Sequence, residues 1–507
     1  MITRRVWSFV SIGLVMALVL AACAPAATPA PTAVPTTAPV ATQAPANTAA
    51  PAATTAAPAA TQAPASTATT AAAATTAPTQ AAATTAAPAA TQGTGTTAGG
   101  PTCGTQPVVL NAYFETGFDL PFKLSDEFTK EYPNVTWNVK QDQFANLINE
   151  TPRLLAGDNP PDLIRLPTLV SFAKDGLLKN LDDYAKAFGW DKWPVPQLNQ
   201  ARVAADGTRG SGPLYAMGLN YSLTGIFYNK KEAAQIGMTQ PPATLADFDA
   251  LLAKAKSAGL QPIMEWGSAK SGMGLAFPLQ ALMASLGPTQ PINDWIFQKK
   301  GATIDTPANL QAAQHLQQWI TSGYFPKDIN AIEYTDAAAR FGKGEGVFTF
   351  NGDWQNAGYD KDLPSNVGFF VMPPATAGGS PAAMSAPLTY GIAAKAKNAD
   401  CAAFFLNWVA SNPTARQIDV TVGGSNPGGP AGATMPPVAA GSITNDTLAA
   451  GNVIGQAGTS MDFIANSTSS IFAQGWTPEL QKMVGGKEDA AGLLKAVQAE
   501  YLRELAQ

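Results

Sequence analysis

Between Ala24 and about Pro107 the chain is built almost entirely from Ala, Thr, Pro and Gln, with no charged residue, no aromatic and no glycine before Gly93. Such a segment has too little apolar surface to offset the entropy of ordering it, so its composition predicts a disordered stretch. Its prolines bias it toward extended polyproline II and argue against an Ala-rich helical stalk. A tether of this kind spans on the order of 50 Å as a flexible coil, and more with the prolines. A stable fold is therefore confined to residues 107–507. That length exceeds what one hydrophobic core usually serves, and two lobes are expected.

Ahead of the tract, Arg4 and Arg5 precede an apolar run from Val6 to Ala22. A short basic region, an apolar region and small residues at its end have the layout of a secretory signal peptide, and the run is short for a permanent spanning helix. The run closes on Leu20-Ala21-Ala22-Cys23, which resembles the lipobox of bacterial lipoproteins. The resemblance implies cleavage before Cys23, acylation of Cys23 and attachment to the outer face of the cell membrane; several acyl chains on one residue hold durably where one does not. The expected division is a signal peptide over 1–22, lipidated Cys23 with its tether over 23–106, and a folded domain over 107–507. The remaining cysteines, Cys103 and Cys401, would share an oxidising compartment, where a disulfide clamping the start of the domain is expected.

Without Arg4 and Arg5 the chain keeps 29 basic residues against 36 acidic ones, a net charge of −7. There is no basic patch, so no nucleic-acid partner is expected. Enzyme chemistry finds little to work with. The single histidine, His315, lies on a helix face of glutamines, and with the cysteines committed neither a nucleophilic triad nor a zinc site can be assembled by the usual rules. Gly485-Gly486-Lys487 lacks the upstream glycine of a phosphate loop, and Gly342-Lys343-Gly344 lacks both its spacing and its Ser/Thr. No cofactor or metal is expected. A secreted glycoside hydrolase needs only two carboxylates and stays open as the enzymatic alternative.

The folded part alternates. Val108–Phe114 reads as a strand, Pro121–Tyr132 as a helix with Asp119 as its cap, and Val135, Trp137 and Val139 as a second strand. Asp162–Leu166 is a third. A comparable region starts near Tyr228: Thr244 and Asp247 form a capping box, Pro262–Trp266 is a strand, and Val347–Phe350 is another. Tyr390–Ala394, a helix at Cys401–Ala410 and a terminal helix at Ala490–Leu505 follow, interrupted by the glycine- and proline-rich Gly423–Pro437. Repeats of this length imply an α/β fold with mostly parallel, doubly wound sheets.

In this order stand Phe128-Thr129-Lys130-Glu131-Tyr132-Pro133-Asn134-Val135, Pro161-Asp162-Leu163-Ile164, Phe172-Ala173-Lys174-Asp175-Gly176-Leu177-Leu178, Ile226-Phe227-Tyr228-Asn229-Lys230, the run Pro241–Phe248, and Lys397-Asn398-Ala399-Asp400. Together they resemble the extracellular solute-binding proteins of sugar importers, over nearly all of residues 107–507. The resemblance implies a two-lobed periplasmic-binding-protein fold joined by crossing strands, with lobe 1 at about 107–218 and 388–430 and lobe 2 at about 219–387 and 431–507. It implies a lipid-anchored, monomeric receptor that binds a mono- or oligosaccharide and delivers it to the permease of an ATP-driven importer. A polyol or polyamine is the alternative solute.

In doubly wound lobes ligands sit beyond the carboxyl ends of strands. That rule selects Glu115, Arg165 and Trp266, together with Asn351, Asp353 and Trp354 in the stretch Asn351-Gly352-Asp353-Trp354. Asn-Gly is also a common hairpin signal, with Trp354 then starting the return strand, but in a parallel lobe it is a strand end facing the cleft. In the family the counterpart strand ends in a Gly-x-Trp that stacks on sugar. Tyr390 lies where the family crosses between lobes and divides between ligand contact and hinge packing. Trp266 and Trp476 divide between stacking and core, Glu115 between ligand contact and turn carboxylate, and Arg165 between ligand contact and an ion pair bracing the cleft.

Overall fold

The alternation read from the sequence becomes one continuous sheet path that carries, among the described residues, two large hydrophobic cores and a smaller third around Phe227, Tyr359 and Phe369. The computed structural model describes residues 100–506 apart from 273 and 431, and apart from the side chain of Pro196. The readings on the signal peptide, on Cys23 and on the tether up to residue 99 lie outside these residues.

Strand β1 (Val108–Glu115) pairs in parallel with β2 (Val135–Asp142) along its whole length and with β3 (Leu163–Arg165) on its other side. Helices Leu120–Glu131 and Phe144–Ala156 make the crossovers and bury Leu124, Phe128, Leu147 and Leu155. Asp119 does not cap the first of them through its side chain. Pro121 stands two residues on, where an N-cap side chain would seek an N–H, and it has none to donate. The capping box at the helix Leu245–Ser257 is present, with Asp247 N–H donating to Thr244 Oγ1 at 3.2 Å and Thr244 N–H to Asp247 Oδ2 at 3.1 Å.

A short hairpin, β4 (Arg202–Val203) and β5 (Arg209–Leu214), leads into the 14-residue β6 (Ala216–Asn229). Antiparallel to β6 run β7 (Phe348–Gly352), β8 (Val367–Phe370) and β9 (Ala383–Gly391), and β10 (Ser460–Met461) adds to β9 in parallel. The sheet order is β2-β1-β3-β9-β6-β7. Strands β6 and β9 cross between the cores. Ala216, Met217 and Leu219 of β6 lie in the first core and Ile226 in the second; Leu388 and Tyr390 of β9 lie in the first, Met384 and Ala386 in the second.

Strand β9 starts at Ala383, well before Tyr390; Pro387, which breaks a strand pattern in sequence, is tolerated where the β6–β9 pairing shifts register. Pro262–Trp266 narrows to a single parallel bridge between Ile263 and Phe348. Its inner side chains Ile263 and Met264 are buried all the same. A disulfide joins Cys103, ahead of β1, to Cys401 at the start of the helix Ala399–Ser411, across 298 positions of sequence.

Candidate functional site

Between the two cores lies a cavity of about 180 Å³, with Pro387, Leu388 and Thr389 of β9 contributing to its wall. Among the described residues eight aromatic side chains line it. Phe118 follows β1, Phe144 packs against both cores, and Trp266, Phe277, Tyr334, Trp354, Phe463 and Phe472 belong to the second.

Trp354 owes its place to the way β7 ends. After Gly352 the chain enters the tight turn Asp353–Gln355 instead of returning as a strand, so Asn351-Gly352 is not a hairpin turn. The indole folds back over the strand end, and a Cβ on Gly352 would stand 2.0 Å from its ring. Only glycine permits that approach. Trp354 is half-buried, and its Nε1–H donates to the Tyr334 hydroxyl at 2.7 Å.

Asn351 and Asp353, expected as ligand contacts, are buried behind the turn and do not line the cavity. Asn351 Nδ2 donates to Tyr359 Oη at 3.1 Å, and its Oδ1 accepts from Gly352 N–H. The Asp353 carboxylate accepts from Leu223 N–H on β6 at 3.0 Å and from Ser425 Oγ at 2.7 Å. Burial pushes this carboxyl well above its ordinary range, against those hydrogen bonds. The glycine-rich stretch beginning at Gly423 therefore has a task the sequence did not reveal. Gly424, at φ +67°, passes so close that a Cβ would stand 2.3 Å from the Asp353 carbonyl oxygen, and its own carbonyl accepts from Asn356 Nδ2.

Glu115 and Arg165 both line the cavity, and they pair with each other, Arg165 Nε to Glu115 Oε2 at 3.2 Å. Arg165 also donates to the carbonyls of Leu166 and Thr389 and lies 5.7 Å from the centre of the Phe144 ring. Burial raises the Glu115 carboxyl above its usual value, and the Arg165 charge opposes that rise. Trp266 lines the cavity but is almost wholly buried. It is 3% exposed, its Nε1–H donates to Gly272 O at 2.8 Å, and Tyr334 meets it edge to face at 4.8 Å.

Two expected contacts belong to the cores instead. Trp476 is fully buried, 6.0 Å edge to face from Trp295, with Nε1–H donating to Ile464 O. Tyr390 alternates inward from β9 and packs on Phe114 at 5.8 Å, while the preceding Thr389 faces the cavity. Burial raises the hydroxyls of both Tyr390 and Tyr334.

Sequence reasoning missed Tyr334, Phe277, Phe463 and Arg209. Three are rings on helix starts or short turns, where no strand-end rule applies. Arg209, in β5, donates to Gln200 O and pairs with Asp462 at 2.6 Å; both side chains are buried, 5% and 1% exposed. Glu333 at the rim pairs with Lys270 at 3.4 Å. Every charged side chain lining the cavity thus has an oppositely charged partner among the described residues. Among those residues no cluster of His, Cys, Asp and Glu could hold a metal. His315 lies away from the cavity, bonded to Asp249 at 2.9 Å.

The profile of the bacterial extracellular solute-binding proteins matches residues 115–416. The chain belongs to that family. A probable sugar-binding periplasmic protein of Mesorhizobium japonicum is 26% identical to this solute-binding protein over 187 residues, 37% of this chain and 42% of the relative. The match therefore spans less than half of that relative's length. A multiple sugar-binding protein of Streptococcus mutans is 22% identical over 297 residues, covering 57% and 67%. Among solved structures, a chitin oligosaccharide binding protein superposes with a TM-score of 0.66 at 20% identity, over 79% of this chain and 99% of its own. The maltose-bound MalE3 of T. maritima superposes at 0.61 with 15% identity, over 78% and 99%. These likenesses establish the two-lobed α/β fold for this solute-binding protein.

Proposed function

We propose that this protein captures a neutral mono- or oligosaccharide in the cavity between its lobes and delivers it to the permease of an ATP-driven importer. The observation that carries the reading is the pairing of charges among aromatic rings. Sugar rings offer C–H faces that stack on aromatics, and their hydroxyls take hydrogen bonds from groups such as Arg165 and Tyr334. A polyol offers the hydroxyls without the ring face. A polyamine needs carboxylates free to meet its charges, and Glu115 and Glu333 already have Arg165 and Lys270. The same pairings disfavour hydrolysis, which needs one carboxyl as acid and another as base or nucleophile. Relatives named as sugar-binding proteins, and structural neighbours named for maltose, raffinose and chitin oligosaccharides, support a sugar ligand. On this reading the protein is not an enzyme, acts as a monomer, and is held to the extracytoplasmic face of the cell membrane by lipid on Cys23.

A thermal-shift screen over neutral sugars, uronic acids and polyamines tests the reading. A neutral sugar at a hundredfold excess over its dissociation constant should stabilise the fold by about 2.7 kcal/mol. Stabilisation by polyamines alone, or release of cleaved sugar, would overturn it.

A further inference from the structure

The Tyr334 hydroxyl is met by two donors at once. Trp354 Nε1–H reaches it at 2.7 Å, and Gln355 Nε2–H reaches it from the next residue along the turn. A phenolic oxygen offers two acceptor positions and one hydrogen. With Trp354 and Gln355 as donors both acceptor positions are filled; the Asn351 side chain also comes within reach of the hydroxyl, and among the described residues no hydrogen bond runs from the hydroxyl to a protein acceptor. The ring is held as well. It lies edge to face on Trp266 at 4.8 Å, and its backbone N–H donates to Ser271 Oγ at 3.0 Å. Tyr334, Trp266, Ser271 and Trp354 all line the cavity.

We infer that Tyr334 is the positioning residue of this cavity: it fixes the plane of the Trp354 indole and presents its own O–H as a donor to an acceptor oxygen of the ligand. The identity of that ligand rests on the sugar reading; the hold on Trp354 does not. An indole tied by its N–H to a fixed acceptor has lost rotational freedom before ligand arrives, so less entropy is lost on binding. Gln355 sets the polarity. Without its N–H the hydroxyl regains an acceptor position and can meet either kind of ligand group, while Trp354 stays tied.

Fluorine NMR of the full chain labelled with fluorotryptophan separates these roles, with Trp354→Phe assigning the resonance. Tyr334→Phe keeps the ring against Trp266 and removes only the hydroxyl. In the ligand-free protein it should move and broaden the Trp354 resonance at a near-normal melting temperature, while Gln355→Met leaves that resonance in place. With the tightest binder among maltose, raffinose and chitobiose as probe, Tyr334→Phe should weaken binding roughly three- to tenfold, the worth of one net hydrogen bond. An unmoved Trp354 resonance in Tyr334→Phe overturns the positioning role whatever the sugars do. A moved resonance with unchanged affinity overturns the donor role. A wild-type chain that binds none of the three sugars counts against the sugar reading and leaves the resonance to decide the positioning role.

Discussion

Glu265 shows what a single buried carboxyl does to this fold. It is fully buried beside Trp266; Oε2 accepts from Phe350 N–H at 3.1 Å, and Oε1 has no partner among the described residues. Burial lifts its pKa well above the ordinary 4.5. The folded chain therefore keeps this proton over a pH interval in which the unfolded chain has lost it. Its contribution to stability is complete below about 4.5 and is lost as pH rises through the folded value. Glu265→Gln removes the titration while keeping size and an acceptor. Denaturant melts at pH 4.5 and 7.5 should show the mutant gaining on wild type at the higher pH, and an equal difference at both would refute the assignment. At this scale the sequence was partly legible. The rule of strand carboxyl ends led to Glu115, Arg165, Trp266 and Trp354, all of which line the cavity, because strand ends face the space between the cores. It also led to Asn351 and Asp353, whose alternation along β7 and its turn points them backward, and nothing in a local pattern tells a side chain from its neighbour there.

The hairpin β4–β5 is the element that sequence hid most completely. It is too short and too rich in glycine to show a period, yet it is rooted in the first core through Val203 and Leu214 while Arg209 reaches the second. There the guanidinium pairs with Asp462, stacks 4.8 Å from the Phe297 ring, and its backbone N–H donates to Phe297 O at 3.0 Å. Breaking a buried pair from one side strands a charge and costs about 3–5 kcal/mol, whereas replacing both partners with apolar groups can be near neutral. Asp462→Ala should therefore lower the unfolding free energy by that amount, and Arg209→Met combined with Asp462→Leu should recover much of it. Additive losses in the double variant would show that the two charges do not act as a pair. The longer helices, by contrast, were readable, since caps such as Thr244-x-x-Asp247 and apolar stripes such as Phe248, Leu251, Leu252 and Ala255 are local signals that packing only has to accept.

For the whole molecule, two cores and the crossing of β6 and β9 follow from length, alternation and the order of the family motifs. The composite cavity could not be read the same way, because its rings arrive from positions as distant as Phe118 and Phe472. The Cys103–Cys401 bond acts at this scale too: it closes a loop of 298 positions in the first core and touches no part of the cavity. Replacing both cysteines by serine should lower stability by about 2–5 kcal/mol in denaturant melts and leave ligand affinity unchanged; a large fall in affinity would contradict that separation. The central claim is that this cavity holds a sugar against Trp354. The direct measurement is titration calorimetry of wild type and Trp354→Ala with the best-binding neutral sugar, paired with the ligand-free melting temperature of each. Loss of the stacked ring should weaken binding by about 2–3 kcal/mol, on the order of a hundredfold, with little change in melting. Near-normal affinity with a collapse in melting, of the size that truncating a core aromatic brings, would contradict the account.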